Sequence, residues 1–86
     1  MAKKALIYAF SPVPGSRARM LTGRGYTADI TPSFEFVLES ARNCSHVLYY
    51  IIKGPNPGED YEERISELKN TLADKIKSGK VELTIE

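Results

Sequence analysis

Six consecutive apolar residues, Ala5-Leu-Ile-Tyr-Ala-Phe10, break off at Ser11-Pro-Val-Pro-Gly-Ser-Arg17. A strand with no polar position has no face to give to water, so it must be covered on both sides, as interior strands of parallel sheets are. Pro12 and Pro14 remove two NH donors and bias the residues before them toward extended backbone, so neither strand nor helix runs through the loop. A buried strand that empties into a Gly, Ser and Arg loop marks the rim where open α/β sheets hold ligands, because backbone NH groups and a cation converge there.

A second apolar run, Val47-Leu-Tyr-Tyr-Ile-Ile52, is closed in the same way by Lys53-Gly-Pro-Asn-Pro-Gly58. Between the runs, Thr31-Pro32 has the composition of a helix start, and Phe34, Val37, Leu38 and Ala41 fall on one helical face up to a stop near Asn43. After the second run, Tyr61, Ile65, Leu68, Leu72 and Ile76 recur at helical spacing within 59–78, and Gly79 stands at the stop. Val81, Leu83 and Ile85 then alternate with Lys80, Glu82, Thr84 and Glu86, the pattern of a half-exposed edge strand. The segment from Arg19 to Ile30, with Gly23 and Gly25 between short stretches containing Leu, Tyr, Thr and Ile, predicts a small β-hairpin.

These elements predict an α/β fold: a small three-layer Rossmann-like domain over residues 1–86, with a parallel sheet of about three strands in β-hairpin-αβαβ order and two main helices. A chain of 86 residues supports one core, since it buries only about 60% of its unfolded surface. With 42% apolar and 27% charged residues it has the composition of a folded globular domain. No apolar run approaches the roughly 20 residues of a membrane-spanning helix, and the lone Cys44 has no internal disulfide partner; a cytoplasmic setting is expected.

The net charge of +1 conceals an imbalance: residues 1–30 carry +4 and residues 31–86 carry −3. The positive half surrounds the first loop, which raises the local concentration of phosphates but lacks the broad basic face that duplex nucleic acid demands. In a parallel sheet the carboxyl ends of the strands share one rim, so Ser11, Gly15, Ser16 and Arg17 are expected on the same side as Lys53 and Asn56. Gly15 and Ser16 offer donors to a phosphate, Arg17 and Lys53 supply charge, and Asn56 reads a base or ribose edge. The spacing is neither that of a P-loop nor of a dinucleotide fingerprint.

The remaining reactive residues read as structural. His46 precedes the second apolar run, at the rim opposite the ligand loops, and is expected as a surface or capping residue. Cys44 is expected to pack at a helix end whose dipole disfavours a thiolate. Glu59, Asp60, Glu62 and Glu63 suit the first turn of a helix. Tyr8, Tyr49 and Tyr50 belong to strands, while Tyr26 is free to stack on a base or a partner. Neither a metal nor a cofactor is implied, and no catalytic group stands out.

The buried first strand, its Ser and Gly loop, the segment Leu21-Thr-Gly-Arg-Gly-Tyr-Thr27, the helix opening Thr31-Pro-Ser-Phe-Glu-Phe-Val-Leu38 and the run Asn43-Cys-Ser-His-Val-Leu-Tyr-Tyr-Ile-Ile52 together resemble the N-terminal half of CRISPR-associated Rossmann-fold (CARF) domains. The resemblance covers Lys3 to Ile52. It implies a homodimer that binds cyclic oligoadenylates, with Ser11, Gly15, Ser16 and Arg17 at the position of the first ligand loop. The ribonuclease motif often fused to such domains, Arg and His separated by four to six residues, is not met by Arg42-Asn-Cys-Ser-His46. The expectation is therefore a nucleotide-binding domain, with a non-enzymatic assembly domain as the alternative and a minimal nuclease acting on a cyclic nucleotide as the weaker one.

Overall fold

A computed structural model describes residues 3–9, 15–43, 45–52 and 58–86, with residues 15–17 as backbone only. The chain alternates strand and helix throughout: β1 (Lys3–Tyr8), α1 (Gly15–Gly23), β2 (Tyr26–Thr31), α2 (Phe34–Asn43), β3 (Leu48–Ile51), α3 (Tyr61–Lys77) and β4 (Glu82–Ile85). All pairings are parallel, and the strand order is β2-β1-β3-β4. The expected α/β class and three layers are present, with four strands rather than three and three helices rather than two. β1 and β3, the two unbroken apolar runs, are the interior strands, and the alternating β4 is an edge.

Each face of the sheet has its own core. On one side α2 and α3 cover Leu6, Tyr8, Tyr49 and Ile51 with Val37, Leu38, Ile65, Leu68 and Leu72. On the other, α1 contributes Leu21 to a smaller cluster with Ala5, Ile7, Ala9 and Leu48. The larger cluster dominates the stability of the fold, since burying each such side chain contributes about 1.5–3 kcal/mol.

The expected hairpin over Arg19–Ile30 is replaced by the end of α1 and by β2, which runs parallel to β1 with Lys3 opposite Tyr26 and Tyr8 opposite Thr31. The glycines terminate a helix instead of turning a hairpin. Arg24 N and Gly25 N donate to the carbonyls of Leu21 and Thr22, and Gly25 takes the positive φ of +93° that lets the chain leave α1. Arg, Ala, Met and Leu before Gly23 are good helix formers, and Ala18 with Leu21 supplies the i, i+3 contact with the sheet.

The start of α2 also shifts. Thr31 is the last residue of β2, and the cap is Ser33, whose Oγ accepts from Phe36 N at 3.3 Å. Thr31 Oγ1 accepts from Ser33 N at 3.1 Å, so the hydroxyl read as the cap fixes the turn that leads to it. The helix ends at Asn43 as expected, and the Lys75 ammonium of α3 donates to the Ala41 carbonyl at 2.8 Å, tying the two helices together.

Candidate ligand site at the carboxyl rim

β1 leads through α1 to β2 on one side of the sheet, and β2 returns across it to β3 on the other. The order therefore reverses between β1 and β3, and the crevice outside their carboxyl ends is where open α/β sheets bind ligands. The ladder holds to that rim: Tyr8 lies opposite Ile51, and Ile52 N donates to the Tyr8 carbonyl at 3.0 Å. The two segments that carry the expected ligand residues leave from these adjoining ends. Ser11, Lys53 and Asn56 lie outside the described residues. Gly15, Ser16 and Arg17 form the opening turn of α1, a turn without an acidic residue.

The same rim carries a cleft that the sequence reading does not single out. About 290 Å³ opens between Tyr8, Ser33, Glu35, Asp60 and Arg64, with Phe34 in its wall. Tyr8 ends β1, Ser33 and Glu35 start α2, and Asp60 and Arg64 start α3, so the cleft is a consequence of three element ends meeting at one level. The rings of Tyr8 and Phe34 meet edge to face with centroids 5.0 Å apart, and the Arg64 guanidinium lies 6.0 Å from the Phe34 ring centroid.

Asp60 occupies the N-cap position of α3, yet its carboxylate makes no capping bond. It accepts instead from Arg64 Nε at 2.7 Å, four residues along the helix. Gly58, at φ +93°, shapes the entry: a Cβ there would stand 3.3 Å from Asp60 Oδ1. The hydrogen bond from Arg64 holds the Asp60 carboxyl below its ordinary value, and Asp60 in turn raises Arg64. Burial raises the hydroxyls of Tyr8 and Tyr61 above the ordinary tyrosine value. The pairing of Asp60 with Arg64 at i, i+4 is readable in the sequence as a helix-surface pair, but nothing there shows that it overhangs the end of β1.

At the other end of the sheet His46 departs from expectation: it is buried, at 5% exposure. Its Nε2 lies 2.9 Å from Asp29 Oδ2 and its Nδ1 lies 2.6 Å from Ser40 Oγ. A carboxylate only accepts, so Nε2 carries the proton; in the neutral ring Nδ1 accepts from Ser40. Ser40 Oγ is also 3.0 Å from the Tyr49 hydroxyl and 2.6 Å from Ser45 Oγ. The order of groups is that of a Ser-His-Asp triad, but Ser40 is 5% exposed and sits in α2 near its carboxyl end, where the dipole opposes a developing oxyanion. The network fastens edge strand β2 to the junction between α2 and β3. Cys44 lies outside the described residues.

Among the described residues no group of three His, Cys, Asp or Glu side chains is arranged to hold a metal ion, and no helix is long and apolar enough to cross a membrane. Comparison of the chain with protein-family models, with curated proteins and with solved structures gave no match.

Proposed function

We propose that this chain binds a phosphorylated nucleotide at its carboxyl rim, with the phosphate held by Ser11, Gly15, Ser16, Arg17 and Lys53 and the sugar or base edge read by Asn56. The observation that carries this reading is the register of β1 and β3, in which Tyr8 and Ile51 are opposite one another where the strand order reverses. The basic excess expected around the first loop is divided by the fold: Lys3 and Lys4 open β1 and Arg24 precedes β2, at the amino end of the sheet, so the charge offered to an anion at the carboxyl rim is that of Arg17 with Lys53. The acid-free opening turn of α1 adds NH groups at the positive end of a helix dipole. The ligand class implied by the CARF resemblance is a cyclic oligoadenylate bound by a homodimer. Exposed edge strands with outward Ile30 and Ile85, at 38% and 40% exposure, suit such self-association.

A thermal-shift panel of mononucleotides, linear dinucleotides and cyclic oligoadenylates tests the reading. A rise in melting temperature with at least one phosphorylated nucleotide, absent for the matching nucleoside, is the expected result. No shift with any of them at millimolar concentration would overturn it. Light scattering on the same samples reads the dimer.

A further inference from the structure

We infer that the cleft between Tyr8 and Arg64 is a base subsite, and that it selects nucleobases bearing an exocyclic amine. The inference rests on the nucleotide reading above and adds to it where the base lies and which bases fit.

Position comes first. Tyr8 is the last residue of β1, so the cleft begins where the chain departs toward Gly15. Tyr8 packs on the face covered by α2 and α3, whereas α1 covers the opposite face. For a nucleotide whose phosphate rests on the opening turn of α1, the base subsite proposed is reached across the carboxyl end of β1, from one face of the sheet to the other.

Charge assigns the cleft to the base rather than the phosphate. Two carboxylates, Glu35 and Asp60, face one guanidinium, Arg64, and that guanidinium is already engaged by Asp60 at 2.7 Å. Such a lining repels a phosphate and presents acceptors to N–H donors. A carboxylate pair has several lone-pair positions, of which Arg64 Nε and the Asp60 backbone NH use two, and Ser33 Oγ adds another polar atom at the rim of the cleft. An exocyclic amine donates to these acceptors; a carbonyl in the same place sets oxygen against oxygen.

Shape agrees. At about 290 Å³ the cleft lies at the lower bound of small-molecule sites, roughly 300–1,000 Å³, and so suits one ring system rather than a whole nucleotide. The planar Arg64 group lies beside the Phe34 ring, which meets Tyr8 edge to face, and a guanidinium stacks readily on a flat heterocycle.

The test uses nucleotide pairs that differ at the amine: AMP against IMP and CMP against UMP, with ribose 5-phosphate as the ligand that lacks a base. Calorimetry is expected to show the amine-bearing member binding about tenfold tighter, and both Glu35→Gln and Glu35→Gln with Asp60→Asn are expected to narrow that ratio toward one. The Arg64 Nε–H resonance is expected to move with AMP and to stay in place with ribose 5-phosphate. If the members of each pair bind equally, or if Arg64 responds to ribose 5-phosphate alone, the base subsite is refuted while nucleotide binding stands. If no phosphorylated compound binds, the nucleotide reading falls and the subsite with it.

Discussion

The two ends of the parallel sheet use similar chemical groups in opposite ways. Where β3 begins, an imidazole, a carboxylate and three hydroxyls are linked to one another, with His46, Ser40 and Tyr49 buried. Where β1 ends, a guanidinium, two carboxylates and a serine hydroxyl surround a cleft of about 290 Å³ and stay in reach of solvent. Buried polar groups are costly unless satisfied, so the first end is committed to stability. Partly exposed groups retain capacity for a ligand. The difference teaches where to look for function in a chain with a single histidine: the residue most often associated with catalysis is the one the fold has used for its own construction.

The separation breaks most visibly at His46. Replacing it by Ala removes a buried ring and takes a hydrogen-bond partner from Ser40 and from Asp29, and the expected loss is about 3 kcal/mol. Urea unfolding reads that loss, and the affinity for a nucleotide should be unchanged in the folded fraction. A variant that unfolds no sooner than the parent, or that stays folded and binds ten times more weakly, would merge the two ends. The next effect has the opposite signature. Arg17→Ala with Lys53→Ala should weaken nucleotide binding at least about 100-fold, since two charge-assisted hydrogen bonds of about 1.5–3 kcal/mol each are at stake, and should leave the unliganded melting temperature as it was.

Ser33 belongs to both kinds of region and sharpens the comparison. It caps α2 through Phe36 N and also lines the cleft. Ser33→Ala should cost about 1 kcal/mol in urea unfolding, and Ser33→Asp should restore most of it because Asp also caps and suits the positive end of the helix. If Ser33 acts only as a cap, Ser33→Asp also restores ligand affinity. If its hydroxyl contacts the ligand, stability recovers without affinity.

Much of the fold can be read from residue types alone, for definite reasons. The runs Ala5–Phe10 and Val47–Ile52 have no polar position, which forces them inside a sheet, and Val81, Leu83 and Ile85 alternate, which puts β4 at an edge. The spacing of Tyr61, Ile65, Leu68 and Leu72 fixes the buried face of α3. Residues 19–30 resist such reading because α1 is short and its burial rests mainly on Leu21, while β2 is an edge with Thr27, Asp29 and Ile30 exposed. Neither element carries a period strong enough to outweigh two glycines. The ligand cleft is illegible for a different reason. Tyr8, Ser33 and Arg64 are far apart in sequence, and only the common level of strand and helix ends brings them together. His46 misleads because its burial depends on Asp29 and Ser40, on two other elements.

The smallest expected effect is also the most specific to the open end. Because Arg64 holds Asp60 below its ordinary value of 3.8, ionised Asp60 favours the folded chain. That contribution is present above pH 3.8 and is lost as pH falls through the lower folded value, where the carboxylate takes up its proton and releases Arg64. Asp60 is about half exposed and Arg64 more than a third, so water and salt screen the pair, and the effect should be far smaller than that of His46→Ala. Comparison of parent and Asp60→Asn by urea unfolding should show a difference at pH 7 in low salt that closes in acid and shrinks in 1 M NaCl. A difference that persists in acid would mean that Asp60 supports the fold through its shape beside Gly58 rather than its charge. The carboxylate lining the cleft would then belong, like His46, to the framework.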